Sequence, residues 1–347
     1  GGMCGPSVVN VVPAAPGCLE IDLAVSASTL YWTDRANGTV MSQPFTTRNT
    51  PGLIATNETS PNLIAVGASD VFWVDVVSQT PAPADAGDLR PTTTATIRAR
   101  KIAGGLARDL VTETNLTGGV RGLAPSEDGQ TLYYSAGTAI RAVPVAGGSA
   151  FDVGHEDEGY PPTALALQAN LIAFTVDLTG IVDVITVVPG AVAVCAAPDP
   201  ASTPASPMTI YTNCTRAIRG GPEPLQNGIV LRSDSVYWAQ NNEVEVHQPP
   251  DGGTLAANGT SPNSVFTGSA NRVAKAASAG DVAVLAGGPD ALYLGSDDTI
   301  EKAPYAAGGS VATIIARGQQ TPSSMAVGAT AIYWASPADC AINSVAK

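Results

Sequence analysis

The sequence predicts an all-β fold, a seven-bladed β-propeller with four-stranded antiparallel blades, and three observations predict it. Each of the four tryptophans stands in the same local setting: LYW at Trp32, VFW at Trp73, VYW at Trp238 and IYW at Trp334. Degenerate copies fill the intervals, ending at Tyr134, Phe174 and Leu294. Successive copies lie about 40 residues apart in three cases and roughly 56–64 in the others, against the roughly 40–50 of a propeller blade, so the repeat carries insertions. Six or eight blades are the alternatives.

Every unit repeats one order of elements. A short apolar segment comes first, such as LAV at Leu23, IAV at Ile64 or MAV at Met325. A tight turn rich in Gly, Asp, Asn and Ser follows, where those residues bend the backbone readily. Next come the aromatic strand, a second turn such as RANG at Arg35, and a third strand such as GTV at Gly38 or DTI at Asp298. That strand runs into a proline and usually a glycine pair, as in PVAGG at Pro144, and a fourth apolar stretch ends the unit, as at 310–318. Strand-length runs that alternate apolar and polar support this reading, and no stretch has a helical period.

Seven units fill one domain: 21–61, 62–120, 121–162, 163–224, 225–280, 281–322 and 323–347. The last unit supplies only three strands, and residues 8–12 have no partner in the first. A propeller closes by drawing one blade from both ends of the chain, which removes an open sheet edge. Residues 8–12 are therefore predicted to be the outer strand of the last blade, antiparallel to the final residues.

Composition narrows the partners. Hydrophobic residues make up 44% of the chain and charged residues 14%, ample for a packed core. With 30 acidic against 17 basic residues the net charge is −13, and no basic stripe offsets it. Such a surface repels phosphate backbones and anionic lipid, so nucleic acid and membrane surfaces are poor partner candidates. No apolar run approaches the roughly 20 residues of a membrane-spanning helix, so no membrane insertion is expected.

Five cysteines stand at 4, 18, 195, 214 and 340, with no C-x-x-C pair. Cys195 and Cys214 bracket the segment PDPASTPASP, which reads as an exposed loop. A disulfide there would be worth about 3 kcal/mol in the chain-entropy picture; the alternative is two buried thiols. Ring closure brings Cys18 near Cys340, with Cys4–Cys340 and Cys4–Cys18 as other pairings. Bridged cysteines imply an extracellular, periplasmic or outer-surface location.

Tyr31-Trp32-Thr33-Asp34 spells YWTD, and the other copies read FWVD, YYSA, YWAQ, YLGS and YWAS. The chain resembles the YWTD propellers of low-density-lipoprotein-receptor-like proteins (class B repeats). Together with LAV, GTV and PxxGG, it looks more like secreted bacterial propellers related to the YWTD and TolB-like groups. The resemblance covers nearly the whole chain; for function it implies extracellular binding only, because ligands differ between members.

The search for chemistry returns little. His155 and His247 are the only histidines, too few for the imidazole clusters of many metalloenzymes. His155 lies with Glu156, Asp157 and Glu158, which read as a solvated acidic inter-blade loop or, as the alternative, an oxygen-rich cation site, and His247 alternates along a third strand. No G-x-S-x-G elbow or phosphate loop occurs, and the glycine pairs recur with the blade period as turn residues. Asp75, Asp85 and Asp88 do not match a calcium loop, while Glu127-Asp128-Gly129 reads as a hairpin turn. No catalytic residue, resident metal or cofactor is assigned; a structural Ca2+, on channel carbonyls, is the leading ion considered. The repeated Trp32, Trp73, Tyr134, Phe174, Trp238, Leu294 and Trp334 read as packing between blades rather than as a sugar-stacking surface.

The expected function is therefore non-catalytic binding of a protein or glycan ligand outside the cytoplasm, through long insertions at 77–94, 196–208 and 256–272. A metal-dependent hydrolase or lactonase at the central channel, and a self-assembling structural subunit, are the alternatives.

Overall fold

The structure, a computed structural model, describes residues 8–12, 21–47, 50–82, 90–156, 159–176, 181–195, 214–218, 228–232, 235–247, 271–278, 280–306, 308–337 and 340–347. Among them no α-helix occurs, and the strands fall into seven sheets. The innermost strands of blades 1 to 7 are Leu23–Val25, Pro61–Val66, Leu123–Pro125, Pro162–Gln168, Ile229–Arg232, Val282–Gly287 and Ser324–Val327. Each touches the next around a circle, and the last touches the first. The result is a seven-bladed β-propeller.

The tyrosine–tryptophan pairs explain why the blades pack. Neighbouring residues of a strand point to opposite faces, so a Tyr-Trp dipeptide serves two boundaries at once. Tyr31 packs with Trp73 and Val71 of blade 2, whereas Trp32 packs with Tyr333 and Ile342 of blade 7. Tyr237 and Trp238 divide in the same way, as do Tyr333 and Trp334. Seven apolar clusters result, each spanning two adjacent blades, with Trp73, Trp238, Trp334, Tyr134 and Phe174 among the largest fully buried side chains. Burying about 200 Å² of such a ring contributes roughly 5 kcal/mol before ordering costs.

The residue after the aromatic pair has its own task. The Thr33 hydroxyl accepts the Asp22 N–H at 3.2 Å, the Ser135 hydroxyl accepts the Arg121 N–H at 2.9 Å, and the Thr175 hydroxyl accepts the Ala164 N–H at 3.2 Å. A short polar side chain here satisfies a backbone donor where the chain enters the innermost strand. Asp34 then holds the next turn by accepting from the N–H and side-chain amide of Asn37.

The last blade is completed from the other end of the chain. Val9–Val12 pairs antiparallel with Ala341–Ala346, Val9 opposite Ser344 and Val12 opposite Ile342. A bulge between Asn10 and Val12 frees the Val11 carbonyl, which accepts from the buried Gln43 side chain of blade 1.

Two departures from the expected pattern concern outer edges. Residues 310–318 do not form one strand: Ser310–Val311 pairs parallel with Asn271–Lys275 of blade 5, and only Thr313–Arg317 joins blade 6. Likewise Ala193–Cys195 leaves the blade 4 connection and pairs parallel with Phe151–Glu156 of blade 3. Both additions cover an edge that would otherwise present unpaired backbone groups.

The segment 77–94 is not wholly a loop. In blade 2 the strands run Asp70–Thr80, Thr92–Lys101 and Arg108–Thr117, up to 11 residues where most others have 3 to 7. They pair in register out to Thr80–Thr92 and Thr92–Thr117.

Candidate functional site

The seven innermost strands leave a cavity of about 590 Å³ at the end of the channel where they begin, within the size range of small-molecule sites. Polar groups reach it from blades 7 and 1 to 4, at Ser323, Ser324, Asp22, Asn62, Arg121 and Thr163, and apolar side chains line it from every blade, among them Leu23, Ile64, Leu165, Ile229 and Leu285. Among the described residues the lining holds one carboxylate, one guanidinium and no imidazole.

Asp22 is the central polar group. Its Oδ1 accepts the Ser324 hydroxyl at 2.6 Å and the Leu23 N–H at 3.0 Å, and its Oδ2 accepts the Ile64 N–H at 2.8 Å. The carboxylate thereby ties blade 1 to blades 2 and 7. Burial pushes its pKa above the usual carboxylate value, the three hydrogen bonds offsetting only part of that shift. The other polar groups are held locally: Arg121 Nε donates to the Gly118 carbonyl at 2.8 Å, Asn62 Oδ1 accepts the Leu63 N–H at 2.8 Å, and Thr163 meets Thr175 at 2.6 Å. This arrangement can hold a donor or a cation at Asp22, but it offers no pair of groups for acid and base work on one substrate.

The extended blade 2 hairpin rises on the same face as the cavity. Ser78 and Thr80 are exposed on it, and Val77 is 46% exposed. Its far end is tied to the blade 3–4 connection, where Arg90 donates to the Gly159 carbonyl at 2.9 Å and lies 5.4 Å from the Tyr160 ring centre.

The sequence-predicted residues fall elsewhere. Trp32, Trp73, Tyr134, Phe174, Trp238, Leu294 and Trp334 are all buried between blades. His155 and Glu156 lie on the outer strand of blade 3 rather than in a loop, His155 exposed and Glu156 buried. His247 ends a third strand, and burial pushes its pKa down. Asp75 accepts the Ser60 N–H at 2.7 Å in a buried, structural role. Residues 83–89, which include Asp85 and Asp88, lie outside the described residues, as do 196–208 and most of 256–272. Cys4, Cys18 and the Cys214 side chain are also outside them, so the suggested cysteine pairings fall there.

Cys195 meets Glu156 and Asp183, with potential ligand atoms within 4.8 Å of one another and all three residues buried. Asp183 sits opposite Arg216 in the sheet register, and the register gives Glu156 the place that Glu113 has one blade earlier. Among the described residues the cluster is the one such group of candidate ligand atoms. Asp22 itself escaped sequence reasoning because EIDLAV carries no recognisable motif.

Seven sheets around a channel define the class, a seven-bladed β-propeller. Similar solved structures include a streptogramin B lyase (TM-score 0.65, 11% identity, 98% of this chain and 97% of that one). Others are a virginiamycin B lyase from Staphylococcus aureus solved with quinupristin (0.64, 11%, 98% and 99%) and Kuenenia stuttgartiensis hydrazine synthase (0.61, 13%, 96% and 96%). Identities this low show a shared fold alone. No protein-family profile matches the sequence, and no curated protein matches it.

Proposed function

We propose that the chain is a non-catalytic binding protein that works outside the cytoplasm and recognises a protein or glycan through the channel-mouth face. The observation that carries this reading is the blade 2 hairpin. Its four residues beyond Val76 carry the strand roughly 13 Å past the register of the innermost strand, beside the cavity mouth. Arg90 ties the far end of this extension to the blade 3–4 connection. Metal-dependent hydrolysis would need several converging ligands, whereas Asp22 is the only carboxylate described in the lining.

The test is a binding panel of extracellular proteins and glycans, run with the full chain and with a variant in which 77–94 is replaced by Asn-Gly. The reading expects a ligand whose binding weakens at least about tenfold in the variant. Turnover of lactones or esters with a stoichiometric divalent ion would overturn it, as would ordered polymers as the sole form of association.

A further inference from the structure

We propose that the channel mouth is a binding site for an alkylammonium group, the charged nitrogen set against Asp22 and the alkyl body against the apolar side chains of the inner strands, among them Ile64, Leu165 and Ile229. This rests on the reading of that face as the recognition surface, and it names the chemistry the face takes.

Three features of the cavity converge on that ligand. First, Asp22 keeps acceptor capacity. A carboxylate has about four lone-pair sites, and three are used, two on Oδ1 and one on Oδ2. Its donors come from blades 1, 2 and 7, so protein on both sides fixes the group in place. Second, apolar side chains line the channel from every blade around Asp22, among them Leu23, Ile64, Leu165, Ile229 and Leu285. A ligand with one cationic end and a short apolar body matches a single carboxylate set in such a wall. Third, one carboxylate suits a singly charged organic cation better than a divalent ion, because calcium takes six to eight oxygens at close range. The net charge of −13 also draws cations toward the surface.

Arg121 is the only other charged residue described in the lining, and it opposes a cation near blade 3. Its Nε is committed to the Gly118 carbonyl. The ammonium is therefore placed on the blade 1 and 7 side, beside Ser324.

Two sources supply such a group: a free amine, or a lysine side chain of a bound protein. Calorimetric titrations of the full chain with n-butylammonium, 1-butanol, butyrate and an acetyl-lysine-amide peptide separate them. Saturable binding of n-butylammonium, at least about tenfold tighter than of the alcohol or the acid, is expected. Asp22→Asn should abolish that preference with native near-ultraviolet dichroism retained. Should Asp22→Asn not fold, Ile229→Lys, which puts a cation into the apolar wall, should abolish it instead. Peptide binding with the free amine points to a partner lysine, and amine binding alone points to a small metabolite; both support the site.

Equal binding of the three four-carbon probes, or full n-butylammonium affinity in a folded Asp22→Asn chain, would overturn the proposal. The variant with 77–94 replaced should keep n-butylammonium binding while losing the panel ligand. Failure of the ammonium site and failure of the recognition-face reading are thus read separately.

Discussion

Trp73 of blade 2 donates its indole N–H to Glu58, in the connection leaving blade 1, at 2.9 Å, and Glu58 also holds Arg98 of blade 2 at 2.5 Å. Arg98 lies opposite Trp73 in the sheet and reaches Asp109 on the outer strand at 2.8 Å. One blade later the arrangement repeats: Tyr134 donates to Glu113 at 2.5 Å, and Arg141 joins Glu113 to Asp152. Glu58→Ala would leave a buried indole N–H and a half-buried guanidinium without this acceptor. A loss of about 3 kcal/mol is expected in denaturant unfolding of the full chain.

Trp334 occupies the same repeat position in blade 7, yet its buried indole N–H has no partner among the described residues. Phenylalanine removes that N–H in either blade, but only at Trp73 does it also remove a hydrogen bond. Trp334→Phe should therefore cost less than Trp73→Phe by about 1–2 kcal/mol in parallel urea titrations. Equal costs would mean the hydrogen bond contributes nothing at the first boundary.

Asp70 is almost fully buried and accepts from Ser69 at 2.6 Å, Lys101 at 2.9 Å and Arg108 at 2.8 Å. Burial opposes its ionisation, but these donors outweigh burial and hold its pKa below the usual 3.8. A carboxylate depressed on folding contributes stability that is present above about pH 3.8 and lost as pH falls through the folded value. Asp70→Asn should cost about 2 kcal/mol at pH 7, a figure reduced for the exposure of both cations. The gap from the parent should narrow below about pH 3.8 in thermal unfolding across an acid series.

Val9–Val12 closes the ring, and its removal exposes the long edge of Ala341–Ala346. Deleting residues 1–12 should lower the melting temperature and produce concentration-dependent association in light scattering, because an open edge recruits other strands. A monomer of unchanged stability would mean that blade 7 does not need its fourth strand.

The blades were legible because a period-2 element with adjacent aromatics marks both faces of one strand, as at Tyr31-Trp32 and Tyr237-Trp238. The added edge strands were not, since Ser310–Val311 finds its partner in the previous blade, and no local pattern encodes a parallel neighbour so far back. The blade 2 extension was read as a loop because beyond the ring both strand faces turn polar and the alternation fades. Asp22 was missed for a related reason: its importance lies in Ser324 and Ile64, residues 302 and 42 positions away.

The central claim is that recognition occurs on the face shared by the cavity and the blade 2 hairpin. Hydrogen exchange of the full chain, with and without the first ligand found by the panel, tests it most directly. Slowed exchange is expected within Asp70–Thr80 and Thr92–Lys101 toward the hairpin tip and at the starts of the innermost strands, Leu23–Val25 and Pro61–Val66. Protection confined to the opposite face, at the turns 26–28, 67–69 and 102–107, would contradict it.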